Sequence, residues 1–232
     1  MQTAMSSKQA AGNHAATLIR DGMALGLGTG STVAFFLDAL ALRMRAEDLT
    51  VKGVPTSEAT AEKARELGIE LTDLEHTPQL DLAVDGADEV DEEFRLIKGG
   101  GGALLREKIV ARAAGRVAIV VGEGKRVERL GTTFLLPVEV LPFGHGATLR
   151  QVAAVGDCQP FLRTVEEGSP FLTDNGNYIL DCKFEGGIER PEDMHARLSQ
   201  IPGVAEIGLF LDLCHVLIEG RPDGSARVLN KT

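Results

Sequence analysis

A chain of 232 residues with 44% hydrophobic and 25% charged positions can bury one large core or two smaller ones, in the balance of a soluble globular protein. A formal net charge of -10, a single Tyr and no Trp argue against a general nucleic-acid or anionic-membrane binder, which needs basic surface and stacking rings. A phosphate ligand stays open, because a small site can be locally positive inside an acidic protein.

In chain order, Ser6 or Ser7 caps a helix expected to run to about Ile19. MALGLG reads as a strand, GTGST as a turn, and Val33 to Arg45 as a helix with an apolar face of Val33, Phe36, Leu37 and Leu40. VKGV is a short strand, PTSEAT a turn, and Glu58 to Leu67 a charged helix closed by Gly68. LDLAV is a buried strand, Gly102 to Ala114 a helix, and VAIVV a continuous apolar strand. Strand–helix alternation with such apolar runs predicts an α/β fold: a Rossmann-like, open, mostly parallel sheet with helices on both faces.

After Gly131 the rhythm changes. FLLPVEVL reads as a strand, Thr148 to Val155 as a helix, PFLRTV as a strand, and FLTDNGNYILDCKF as a hairpin turning at Asn-Gly. Pro191 to Ile201 is a helix with Pro in its first turn, and VAEIGLFL one further strand. The order β-α-β-β-α-β predicts a smaller ferredoxin-like α+β domain. The expected division is 1–130 plus 207–232 for the α/β catalytic domain and 131–206 for the smaller one, with HVLIEG and ARVL returning to the first.

Five motifs, GTGST, PTSEAT, DGAD, KGGGG and GEGK, follow apolar strand segments. In GLGTGST the residues Thr29, Gly30, Ser31 and Thr32 stand where a helix begins, and unpaired amides with a positive dipole end suit a phosphate. The lysine of a P-loop is missing, and Ser31 stands where the third glycine of a dinucleotide fingerprint belongs. A plain Ser/Thr-capped turn is the competing reading. In VDGADEVDEE the strand delivers Asp85, Gly86, Ala87 and Asp88 at its carboxyl end, where open α/β sheets bind ligands. Glu89, Asp91, Glu92 and Glu93 read as a solvated acidic run.

IKGGGGALLREK offers Lys98 and four glycines before a helix. Gly99, Gly100 and Gly101 are costly in chain entropy unless the backbone does something unusual, such as forming a nest of N–H groups for an oxyanion. At about 100° per residue, Glu107 falls among Ala103, Val110, Ala111 and Ala114, while Lys108 and Arg112 fall on another side. Burial raises a carboxyl pKa toward neutrality, which suits a general base. A buried salt bridge with Arg106 or Lys108 is the alternative. GEGK brings Lys125 from another strand end, either to the same ligand or into an exposed loop. In a parallel sheet these strand ends share one edge.

The five histidines fall outside these motifs, so neither a His-based triad nor a zinc site is indicated. Cys158, Cys182 and Cys214 lack CxxC spacing and read as small buried hydrophobes with reduced thiols. MQTAMSSKQAAGNHAA lacks the apolar run of a signal peptide, and no apolar stretch is long enough to span a bilayer, so a cytoplasmic location is expected.

GLGTGST, TSEAT, DGADEVD, IKGGGGALLREKI, LPVEVLPF, TDNGNYILD and IPGVAEIGLF, spread in order over nearly the whole chain, resemble the type A ribose-5-phosphate isomerases. The resemblance implies interconversion of ribose 5-phosphate and ribulose 5-phosphate through an enediolate, in the non-oxidative pentose phosphate pathway, with neither metal nor organic cofactor. It implies Glu107 as the base, with Asp85 and Lys98 assisting. Substrate contacts are implied at Thr29 to Thr32, Asp85 to Asp88, Lys98 to Gly101, Lys125 and Lys8. It also implies a homodimer or a dimer of dimers, with the small domain helping assembly. GEGK departs from the Ala/Ser-rich version of that segment while keeping its lysine. The other readings are a sugar-phosphate sensor domain, which needs a DNA-binding segment that the acidic N-terminal part does not offer, a CoA-transferase-like enzyme with a glutamate nucleophile, and a metal-dependent phosphohydrolase built on the acid cluster.

Overall fold

The computed structural model describes residues 6–155, 158–165 and 168–231. The first five residues, part of the stretch read above for a leader, lie outside them. The chain divides into two compact units, the first made of Met1–Ala87, Arg106–Lys125 and Asp212–Thr232, the second of Asp88–Leu105 and Arg126–Leu211.

Among the described residues the first unit carries a seven-stranded sheet. Its order is Ala226–Asn230, Val216–Gly220, Val117–Val121, Leu82–Gly86, Ala24–Leu27, Lys52–Pro55 and Glu70–Leu71. All neighbours are parallel except the first pair, which is antiparallel. HVLIEG and ARVL thus join this sheet, as expected. The central strands are almost wholly buried, VAIVV at every position, because helices cover a parallel sheet and leave no wet face for alternation. Its core gathers Leu25, Leu27, Val84, Ala118, Val120 and Ile218 with Val33, Phe36, Leu37 and Leu40 of the helix Ser31–Glu47. That apolar face is the predicted one. The helix starts two residues before Val33, because Gly30 takes φ +113° and turns the chain directly into it. The first helix, Ser7–Ala16, is capped by Ser6, which accepts from the Gln9 amide at 3.2 Å, and ends three residues earlier than predicted.

The second unit contains the predicted β-α-β-β-α-β order: Leu136–Val140, the helix His145–Val155, Cys158–Leu162, Tyr178–Phe184, the helix Pro191–Leu198 and Val204–Ile207. Its antiparallel sheet runs Val204–Ile207, Leu136–Val140, Tyr178–Phe184, Cys158–Leu162, the ferredoxin-like order. The Asn-Gly signal makes a tight turn, with Gly176 donating to the Thr173 carbonyl and Thr173 to that of Asn177. The arm before it forms no sheet strand, and Tyr178–Phe184 pairs instead with Cys158–Leu162. VAEIGLFL is not one strand. It divides at Gly208 into Val204–Ile207 and Leu209–Phe210, and the second piece joins a three-stranded sheet with Leu96–Ile97 and Glu89–Val90. A Cβ at Gly208 would meet the Lys98 and Pro137 carbonyl oxygens, so only glycine lets the backbone cross there.

Among the described residues no helix is long and apolar enough to cross a membrane.

Candidate active site

In the first unit, four of the five motifs stand at carboxyl ends of adjacent parallel strands. GTGST follows Ala24–Leu27, PTSEAT follows Lys52–Pro55, DGAD ends Leu82–Gly86, and GEGK follows Val117–Val121. KGGGG is the exception to the expected shared edge. It follows Leu96–Ile97, which pairs in the three-stranded antiparallel sheet of the second unit. A two-residue strand carries no periodicity from which its sheet could be read.

Asp85 is the hub of the first set and is 5% exposed. Its Oδ1 accepts from the Thr29 amide at 3.1 Å and the Gly86 amide at 2.7 Å, tying one strand end to the next. The Thr29 hydroxyl lies 2.7 Å from that of Thr56, 2.9 Å from Ser57 and 3.2 Å from Thr60, and Thr60 donates to the Gly28 carbonyl at 2.8 Å. PTSEAT was expected on this edge, but Thr56, Ser57 and Thr60 were not singled out as site residues. The Ser/Thr richness of PTSEAT was their one signal, and it reads equally well as a helix cap, which Ser57 also provides. Ser31 and Thr32 are the first two helical residues after Gly30, at the dipole-positive end of a 17-residue helix. Lys8 Nζ donates to Ser31 Oγ at 2.9 Å, which brings the lysine from the N-terminal helix to this turn.

Glu107, on the helix Leu104–Ala113, is 5% exposed, beside buried Ala103, Val110 and Ala111. Val110 packs where a Cβ on Gly26 would stand, which sets this face of the helix against the strand Ala24–Leu27. Arg106 forms an ion pair with Glu58 at 2.8 Å. Of Lys108 and Arg112, expected on another side of the helix, Lys108 is 8% exposed and Arg112 is exposed. Lys125 is half-buried in the turn after Val117–Val121.

In the second unit, Lys98 is 3% exposed and its Nζ lies 5.3 Å from the Phe210 ring centre. Gly99 has φ +106° and Gly102 φ +80°, conformations that need glycine. The Gly100 amide donates to Asp88 Oδ2 at 2.8 Å, and the Gly102 amide to the Gly99 carbonyl at 3.0 Å. Two amides of the glycine run are therefore engaged, one by Asp88 and one inside the loop. The acidic run behind Asp88 is corrected in part. Glu92 and Glu93 are exposed, but Glu89 is fully buried and Asp91 2% exposed. Glu89 accepts from the amides of Gly131, Thr133 and Phe134 at 2.5, 2.6 and 2.7 Å and from the Thr133 hydroxyl at 2.7 Å. Asp91 pairs with Arg95 at 2.6 Å. Both carboxylates satisfy loops, which a bare run of acids does not reveal. Among the described residues no group of three or more His, Cys, Asp or Glu is arranged to hold a metal ion.

A buried carboxylate hub and the N-terminus of a long helix at the carboxyl ends of a parallel sheet define an α/β enzyme of small anionic substrates. Residues 52–224 match the family described as ribose 5-phosphate isomerase A (phosphoriboisomerase A). A relative from Synechococcus sp., "Ribose-5-phosphate isomerase A", is 51% identical over 97% of both chains. A solved ribose 5-phosphate isomerase from Plasmodium falciparum superposes with a TM-score of 0.93 at 35% identity, covering 97% of this chain and 98% of that one. A D-ribose-5-phosphate isomerase in complex with phospho-erythronic acid superposes with a TM-score of 0.91 at 38% identity over 97% of both chains. The chain belongs to the ribose 5-phosphate isomerase A family.

Proposed function

We propose that this chain interconverts D-ribose 5-phosphate and D-ribulose 5-phosphate as an aldose–ketose isomerase of the non-oxidative pentose phosphate pathway. The observation that carries the reading is Glu107: a carboxylate buried on the small-residue face of its helix, in a chain of this family. After the sugar ring opens, Glu107 takes the proton from C2 of the aldose and the electron pair moves toward the C1 oxygen. A cis-enediolate forms. The same carboxyl returns the proton to C1, and the ketose results. The net reaction moves two protons, one from C2 to C1 and one from the C2 oxygen to the C1 oxygen, together with two electrons within the sugar.

Developing oxygen charge needs donors already in place, a role this reading gives to Lys98 and the Gly99–Gly101 backbone. Asp85 assists ring opening or carries the proton between oxygens, and Gly86, Ala87 and Asp88 meet the hydroxyls. The turn Thr29–Thr32 with Lys8 and Lys125 serves the phosphate, supported by the helix start at Ser31 and the Lys8–Ser31 hydrogen bond. Chemistry is assigned to 1–130 with 207–232, and assembly to 131–206. The assembly reading, a homodimer or dimer of dimers, is supported by apolar side chains of the smaller unit left open in the single chain: Phe143 at 94%, Leu172 at 60% and Phe161 at 52% exposure. The location proposed for it is the cytoplasm.

The test is conversion of ribose 5-phosphate to ribulose 5-phosphate with a chelator in excess. Turnover is expected, with competition by phospho-erythronic acid; no turnover overturns the reading.

A further inference from the structure

The second unit holds an ion pair that the chemistry above does not use. Arg163 follows the strand Cys158–Leu162, and Asp181 lies on its neighbour, paired with Phe161. Arg163 Nε donates to Asp181 Oδ2 at 2.9 Å and Nη2 to Oδ1 at 2.6 Å, a bidentate fork. The two side chains are 14% and 18% exposed. The remaining nitrogen, Nη1, donates to two main-chain carbonyls, Gly99 at 3.0 Å and Gly100 at 3.1 Å. The Phe171 ring lies 5.6 Å from the guanidinium carbon and fills the space a Cβ on Gly102 would need.

We propose that Arg163, held by Asp181, is a positioning residue that keeps the Gly100 amide on Asp88 and aims the Gly101 amide at an anionic oxygen of the substrate. The inference rests on the isomerase reading above. A trans peptide carries its carbonyl and its N–H on opposite sides. The Gly99 carbonyl shares a peptide with the Gly100 amide, which donates to Asp88. The Gly100 carbonyl shares a peptide with the Gly101 amide. Drawing both carbonyls to one guanidinium therefore turns both amides to the far side, the Gly100 amide onto Asp88 and the Gly101 amide toward the substrate oxygen.

Charge acts in the same sense. A cation on a carbonyl oxygen polarises that peptide and strengthens its N–H as a donor. Asp181, Arg163, the 99–100 peptide and Asp88 thus form one continuous run of hydrogen bonds, carboxylate at each end. Four glycines would otherwise sample many conformations. Lysine cannot replace the fork, since an ammonium is a point charge without fixed geometry.

The test uses the full chain and five variants, Arg163→Met, Arg163→Lys, Asp181→Asn, Asp88→Asn and Thr29→Val, with Arg163→Met also combined with each of the last two. Steady-state kinetics with ribose 5-phosphate, the melting temperature and the inhibition constant of phospho-erythronic acid are read for each. Arg163→Met is expected to lower kcat/KM by about 10- to 100-fold, since misplacement near 1 Å costs about that much, and to weaken the inhibitor. Arg163→Lys restores only part. Combined with Asp88→Asn, the Arg163→Met loss falls well short of additive, because both act on one peptide, whereas with Thr29→Val the losses add. A folded Arg163→Met protein with wild-type kinetics overturns the proposal, as does full additivity with Asp88→Asn. If Arg163→Met does not fold, Arg163→Lys and Asp181→Asn decide: an unchanged kcat/KM in both overturns it. Wild-type protein without turnover sinks the isomerase reading and this one together. An active wild type with indifferent variants sinks only this one.

Discussion

The two glycine-rich segments reach similar ends by different means. In GTGST the amides belong to the start of a 17-residue helix, and a single glycine at φ +113° admits the chain to it. The orienting force is the helix itself, a local structure with its own dipole. In KGGGG no helix starts until Leu104, and the loop is pinned from outside: Asp88 takes an amide on one side and Arg163 two carbonyls on the other. Arg163 lies more than sixty residues away in sequence. The first segment can be read by itself; the second works only after a separate sheet has brought its braces.

Four experiments probe that contrast, beginning with the largest effect. Glu107→Gln keeps size but removes the proton acceptor; turnover is expected to fall by about 1,000-fold with the fold retained in circular dichroism. Near-wild-type turnover would remove Glu107 from its role. Glu89→Gln strikes the braced side. Its amide group would confront N–H donors that now meet a carboxylate, and about 3 kcal/mol of stability should be lost. For a chain of this size that is a fall of about 6–12 °C in Tm by calorimetry. An unchanged Tm would show that the 131–134 loop does not depend on that carboxylate.

Gly30→Ala strikes the helix-led side. No side chain is at ease at φ +113°, so a cost of about 2 kcal/mol is expected, with a raised KM as the helix start shifts. If KM holds while stability falls, the turn is structural and its phosphate role fails.

The smallest effect is a pH dependence. Burial pushes the Cys214 thiol up to about 12, and the Cys182 thiol is raised by its hydrogen bond to Cys158 and by burial. Between roughly pH 9 and 12 the unfolded chain releases these protons while the folded chain keeps them, so stability falls as pH rises through that window and is unaffected below it. Thermal melts from pH 8 to 10.5 should show the decline beginning near pH 9. A thiol reagent at pH 8 should label Cys158, Cys182 and Cys214 only after denaturation. Rapid labelling of the native protein would contradict their burial.

The apolar runs LDLAV and VAIVV announced a parallel sheet because both faces of each strand are covered, and that demand writes itself into consecutive residues. The β-α-β-β-α-β order was legible for the same reason. Glu107 was legible too, since helical periodicity places it on a small apolar face whatever surrounds the helix. The two-residue strands Glu89–Val90 and Leu96–Ile97 were not, because pairs this short have no period, and the third strand of their sheet, beside Leu96–Ile97, arises only from the break at Gly208. Glu89 looked like one acid among several, yet its burial depends on three amides and a hydroxyl supplied by residues forty positions away. The sequence by itself determined whatever follows from local periodicity: the element types, the buried strands and the face that carries the carboxylate. Tertiary structure alone decided which distant side chains satisfy the loops, because a hydrogen-bond partner brought by folding leaves no pattern in the neighbouring residues.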